Sequence, residues 1–232
     1  MYPNKERLIL FDADGTTIDA FSAIDMAFSR HNMNIGDLER FQKRRNLFKY
    51  LGGLKEFPFN LKKQIGNHSR KQLLSTLTEV YRHEAQLFPG MAELIQTLIA
   101  APDIRVGLVT RNITYEPEIT LRQLFLRHGI DTKDLDYMVR VPLGQEKALH
   151  FRLAREQFKI NPARAYACGD EHKDYLAAIT TGIHPFIVSY GFEDHRRLTR
   201  KFDIPEELVS RSPSDLCACV LHALDIDQPA AS

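Results

Sequence analysis

Short apolar runs recur along the chain, each ending on polar residues, with amphipathic stretches between them. The first run, Leu8–Phe11 (LILF), reads as a buried strand. Residues 89–101 (PGMAELIQTLIAA) open on proline and place Leu94, Ile95, Leu98 and Ile99 on one helical face. IRVGLVT, at 104–110, predicts a second strand. From Tyr115 to His128 the spacing of Leu121, Leu124, Phe125 and His128 is helical, and Gly129 is placed to stop the helix. YMVRV (137–141) predicts another strand, and EKALHFRLAREQF (146–158) a helix with Leu149, Leu153 and Ala154 inward. ARAYAC (163–168) reads as a strand, KDYLAAITTG (173–182) as a helix closed by Gly182, and PFIVSYG (185–191) as a last strand.

Strands alternating with helices at this rhythm predict the α/β class, with a parallel sheet covered by helices on both faces. Ligands of such sheets bind beyond the carboxyl ends of the strands. Those ends carry Asp12 and Asp14, Thr110, the VPLGQEK loop and CGDEHKD. Residues 20–88 break the rhythm. They are helical in character apart from GGLKEFPFN (52–60), which reads as a loop, and they hold 12 Lys+Arg against 6 Asp+Glu. The expected organisation is a core of residues 1–19 and 89–232 with a helical insert at 20–88. No internal repeat or low-complexity tract appears.

A chain of 232 residues suffices for one α/β domain with a smaller insert. Its 44% apolar and 26% charged content is that of an ordinary globular protein. The net charge of +1 supplies no global field for nucleic acid. No apolar run approaches the roughly 18 residues that cross a bilayer, so no membrane partner is expected. The start, MYPNKERLILFDAD, does not read as a signal peptide. Three cysteines, Cys168, Cys217 and Cys219, make no disulfide framework, and a reducing cytoplasm is the expected location. No C-x-x-C, H-E-x-x-H or G-x-x-x-x-G-K-[ST] motif is present.

Taken singly, each polar strand end has an ordinary reading. Asp12 and Asp14 could form a solvated turn, Thr110 a helix cap, and Lys147 a surface lysine. Asp170 and Asp174 could be an N-cap and a first-turn acid favoured by the helix dipole. Their joint order is more specific. DADGT (12–16) after a strand, LVT (108–110) ending a second, Lys147, and GDEHKD (169–174) after a further strand resemble the haloacid dehalogenase superfamily. The resemblance spans the chain and implies a Rossmann-like core with a small α-helical cap inserted after the first motif, as in phosphoglycolate-phosphatase-like members.

The resemblance implies a phosphatase that works through an aspartyl-phosphate intermediate and uses magnesium as cofactor. Asp12 becomes the nucleophile and Asp14 the general acid and base. Magnesium falls to Asp12, the Asp14 backbone carbonyl and Asp170, an oxygen set that suits this ion. Asp174 completes the acidic pocket, by contacting metal-bound water or Lys147. Thr110 hydrogen-bonds a phosphoryl oxygen, helped by backbone amides near Gly15 and Arg111, and Lys147 neutralises charge on the phosphoryl group and Asp12. The lysine lacks the proline that often follows it in relatives, and Lys173 is its competitor. His172 beside Glu171 and Cys168 suits no common metal site and reads as a solvated loop histidine.

The cap carries FQKRRNLFKYLGG (41–53); its Lys43, Arg44, Arg45 and Lys49, with Lys55 just beyond, either meet an anionic substrate tail or form a solvated face. Interleaved Phe41, Phe48 and Tyr50 could suggest RNA, but no wider basic surface supports it. The expected partner is therefore a small phosphorylated metabolite, preferably with a second anionic group, and the expected state a monomer or homodimer. Asp14 separates this chain from the dehalogenases, whose leaving halide needs no proton. A phosphonatase, a sugar-phosphate mutase and a non-catalytic binding module remain the alternatives.

Overall fold

The computed structural model describes residues 6–43 and 70–226. Six parallel strands form one sheet: β1 (Arg7–Phe11), β2 (Ile104–Thr110), β3 (Tyr137–Arg140), β4 (Ala165–Gly169), β5 (His184–Val188) and β6 (Val209–Ser210). Their spatial order is β3-β2-β1-β4-β5-β6. The chain thus winds outward from β1 to β3 and returns to the other side of β1 for β4. Strand order reverses at β1, the place beyond whose carboxyl ends ligands of such sheets bind. Phe11 pairs with Leu108 on one side and Cys168 on the other, so the motifs that follow these three strands begin as neighbours.

The pleat divides the core. Ile9 and Phe11 of β1, with Val106 and Leu108 of β2, face α1 (Ala20–Ser29), α3 (Arg70–His83), α4 (Met91–Ala100), α5 (Pro117–Arg127) and α8 (Pro213–Ala223). Leu8 and Leu10, with Ala165 and Ala167, face α6 (Ala148–Gln157) and α7 (His172–Thr180). Helices therefore cover both faces, as the alternating pattern predicts. Gly129 and Gly182 take φ of +75° and +72° just beyond α5 and α7, where a left-handed residue ends a helix. Among the described residues, α1, a short α2 (Leu38–Lys43), α3 and α4 lie between β1 and β2, and α3 packs against both α1 and α5.

One helical phase differs from expectation. Leu149 and Leu153 are 47% and 43% exposed, while Phe151 and Ala154 are buried. The stripe that turns inward is Lys147, Phe151 and Ala154, at i, i+4 and i+7, so a buried lysine sets the phase and the leucines fall on the outer face. β6 was not expected. It is two residues long, too short for a period to register, and the Ser212 capping box that starts α8 follows at once. The GGLKEFPFN loop and the cations Arg44, Arg45, Lys49 and Lys55 lie outside the described residues, as does the Lys43 side chain. Among the described residues no helix is long and apolar enough to cross a membrane.

Candidate active site

β1 ends with the Asp12 amide donating to the Cys168 carbonyl at 2.9 Å, which ties the first motif to β4. The chain then turns: Thr17 and Ile18 amides return to the Ala13 carbonyl, and Gly15 takes φ +84°. A Cβ at Gly15 would enter the Asp170 carboxylate, so both backbone and space require glycine there. This turn faces Asp12 toward β4 and leaves Asp14 beneath α3.

Lys147, 2% exposed, reaches in from the start of α6. Its Nζ lies 2.7 Å from Asp12 Oδ2 and 2.8 Å from Asp174 Oδ1. Asp174 Oδ2 in turn accepts from the Glu171 amide at 3.1 Å, closing the capping box of α7. Asp170 at the end of β4 is fully buried, and its Oδ2 accepts from the Phe192 amide at 2.6 Å. A Cβ at Gly191 would collide with the Gly15 carbonyl and the Asp170 carboxylate, so the loop after β5 closes on the acid through glycine. Gln42 of α2 donates to the Gly191 carbonyl at 2.7 Å from the other side.

Burial dominates the electrostatics. It pushes Asp12 up to about 7 against the pull of Lys147, with Asp174 and Asp14 adding to the rise. Burial pushes Asp170 well above the carboxylate range, with Asp12 the next contributor. Asp14 is also raised by burial, opposed by hydrogen bonds from Tyr81 and Asn112. Burial works against the Lys147 charge, but Asp12 and Asp174 more than offset it and raise its pKa.

Of the residues singled out in the sequence, Asp12, Lys147, Asp170 and Asp174 converge in one pocket, with Asp14 and Gly15 on the adjoining turn. Thr110 is buried at the end of β2, its hydroxyl oxygen accepting from the Asn112 amide at 3.1 Å. The Arg111 side chain is engaged elsewhere, donating to the Gln145 carbonyl at 3.0 Å and standing 3.8 Å from Glu171. Lys173 is exposed on α7, so Lys147 is the lysine that meets Asp12. His172 is not a solvated loop residue. It opens α7, stacks on Phe202 with centroids 3.8 Å apart, and approaches the fully buried Glu193 at 3.1 Å. No tetrad of metal ligands forms around it among the described residues.

Two donors were not read from the sequence. Tyr81 of α3 donates its hydroxyl to Asp14 Oδ1 at 2.7 Å, and Asn112 Nδ2 lies 3.1 Å from both Asp14 oxygens. Asn112 could have been found as the polar residue two beyond Thr110. Tyr81 sits inside the amphipathic α3, between β1 and β2, where nothing in its spacing separates it from core aromatics.

The donor set suits a divalent cation. Oxygens of Asp12, Asp170 and Asp174 lie within 4.8 Å of one another. Three carboxylates face the Lys147 ammonium, which leaves two negative charges in a largely buried pocket when all are ionised. Among the described residues, Asp170 Oδ1 is buried without a hydrogen-bond partner, and a buried acceptor of that kind calls for one. A hard cation with oxygen ligands meets both needs.

Known proteins resemble this chain in sequence and fold. The family model for haloacid dehalogenase-like hydrolases matches residues 6–182. A phosphoglycolate phosphatase of Synechococcus elongatus is 26% identical over 226 residues, covering 93% of this chain and 98% of its own. Phosphoglycolate phosphatase of Vibrio vulnificus is 22% identical over 80% of this chain and 85% of its own. Among solved structures, one from Haemophilus somnus described as a predicted phosphoglycolate phosphatase has a TM-score of 0.63 at 18% identity, covering 94% of this chain and 99% of that one. The last of these shows the fold alone.

Proposed function

Because the chain belongs to the haloacid dehalogenase-like hydrolases, we propose that it is a magnesium-dependent phosphatase of a small organic phosphomonoester, acting through an aspartyl-phosphate on Asp12. The observation that carries this reading is the buried Lys147 held between Asp12 and Asp174, at 2.7 Å and 2.8 Å, beside an Asp170 whose Oδ1 has no partner among the described residues.

Asp12 attacks phosphorus, its O–P bond forming as the bond to the alkoxide breaks. Asp14 gives the leaving oxygen a proton, and the rise that burial imposes on its carboxyl favours holding one near neutral pH. Asp14 then takes a proton from the water that attacks the aspartyl-phosphate, which frees phosphate and restores the Asp12 carboxylate. Lys147 offsets the charge gathered between Asp12 and the phosphoryl group, in a buried setting where that attraction is strong. The Thr110 hydroxyl, at the end of the neighbouring strand, donates to a phosphoryl oxygen. Asp12, the Asp14 backbone carbonyl and Asp170 would hold magnesium, whose chemistry there is to neutralise the phosphate dianion and the carboxylate that attacks it. Asp174 acts through Lys147, which it keeps charged and aimed at Asp12.

Residues 20–88 are assigned to a cap over this site, on a core of 1–19 and 89–232. The substrate class follows the relatives named for phosphoglycolate, which makes 2-phosphoglycolate the first ester to try. Purified protein with magnesium should hydrolyse p-nitrophenyl phosphate and 2-phosphoglycolate, EDTA should abolish both, and Asp12→Asn should remove turnover while circular dichroism stays unchanged. Turnover that survives EDTA, or that Asp12→Asn retains, overturns the proposal.

A further inference from the structure

Tyr81 enters the site from the insert, yet its position is fixed by the core. Arg127 of α5 donates to the carbonyls of Tyr81 at 3.1 Å and Ala85 at 2.6 Å. Arg82 donates to Thr120 of α5 at 3.0 Å and to Glu116, the residue before it, at 3.0 Å. The last turn of α3 is thus pinned to α5 by two arginines, and the Tyr81 ring is 2% exposed. Asn112 is equally constrained. Its Oδ1 accepts from the Thr114 amide at 3.0 Å and from the Thr114 hydroxyl, which leaves Nδ2 to face Asp14. Asp14 therefore lies between two donors built on separate elements. Oδ1 receives the Tyr81 hydroxyl at 2.7 Å and the amide at 3.1 Å, whereas among the described residues Oδ2 receives only the amide.

We propose that Tyr81 and Asn112 are positioning residues for leaving-group protonation: they saturate Asp14 Oδ1, lock the carboxyl orientation, and leave Oδ2 as the oxygen that carries the proton. This rests on the phosphatase reading above and adds to it residues that never touch the phosphate. A proton donor must be aimed at the leaving oxygen, and a carboxyl free to rotate loses that alignment. The consequence depends on the leaving group. An alkoxide must be protonated as it departs, whereas nitrophenolate departs unaided near neutral pH.

Tyr81→Phe keeps the packed ring and removes one O–H. Steady-state kinetics on 2-phosphoglycolate and p-nitrophenyl phosphate at one pH and saturating magnesium separate the roles. The expected result is a fall in kcat/KM of about tenfold for the alkyl ester, with kcat/KM for p-nitrophenyl phosphate little altered, because that ratio reports departure of the leaving group and not the later hydrolysis of the aspartyl-phosphate that Asp14 also serves. Asn112→Ala approaches Asp14 from the other side without disturbing the Tyr81 packing, and should give the same split. An equal fall on both esters in both variants marks a structural role and overturns the proposal, as does no fall on either. A wild-type protein that turns over neither ester fails at the earlier step, and is told apart because the variants are then never compared.

Discussion

Lys147 carries more of the site than any other residue, because among the described residues it is the cation that pairs directly with the buried acids Asp12 and Asp174, beside Asp170. That imbalance makes the metal-free protein pH-sensitive in a predictable direction. Burial raises Asp12 from 3.8 to about 7 in the folded state, so the native protein binds this proton more tightly than the unfolded chain does. The group is neutral in both states at low pH. Stability is then lost as pH rises from the unfolded value through the folded one, by at most about 4 kcal/mol. Asp170 is raised in the same direction. In EDTA, Asp12→Asn should therefore melt several degrees above the wild type at pH 8 and converge with it near pH 4. Differential scanning calorimetry across that range decides the matter, and a wild type that is the more stable at pH 8 would reverse the sign argued here. The acids and the lysine were legible in the sequence because strand ends advertise them. The charge imbalance was not, since it depends on which side chains lose water.

At the scale of elements, the loop after β5 contributes what no motif announced. Gly191 and Phe192 close over Asp170, the amide of Phe192 bonding one carboxylate oxygen while the Gly191 backbone packs against Gly15. Gly191→Ala forces a methyl into the Gly15 carbonyl and the Asp170 carboxylate, neither the free end of a flexible chain. Overpacking of this kind costs about 1–3 kcal/mol. Because it falls on Asp170, magnesium binding by calorimetry should weaken more than the melting point alone suggests, and unaltered affinity would show the loop to be a bystander. The phase of α6 teaches a related lesson. Hydrophobic periodicity chose Leu149 and Leu153 as the inner stripe, but a lysine paired with two buried acids turned inward instead, taking Phe151 and Ala154 with it. Periodicity assumes that charge faces water, and it fails where charge is functional. Tyr81 was hidden for the complementary reason: a tyrosine on an apolar face looks like core until the acid above its hydroxyl is placed.

The whole molecule explains why these scattered residues meet. β1 lies at the reversal of strand order, flanked by β2 and β4, so the ends of three central strands deliver Asp12, Thr110 and Asp170 to one crevice. Five strands and the helices between them were legible from alternation alone, while β6 was too short to register and the basic stretch after α2 lies outside the described residues. The account of the molecule as a phosphatase turns on the covalent step at Asp12, and the stereochemistry at phosphorus reports it without requiring the intermediate to accumulate. A phosphomonoester made chiral with three oxygen isotopes should be transferred to an alcohol acceptor with retention of configuration, since two in-line displacements restore the original hand. Inversion would mean a single displacement by the acceptor itself, and Asp12 would no longer be the nucleophile.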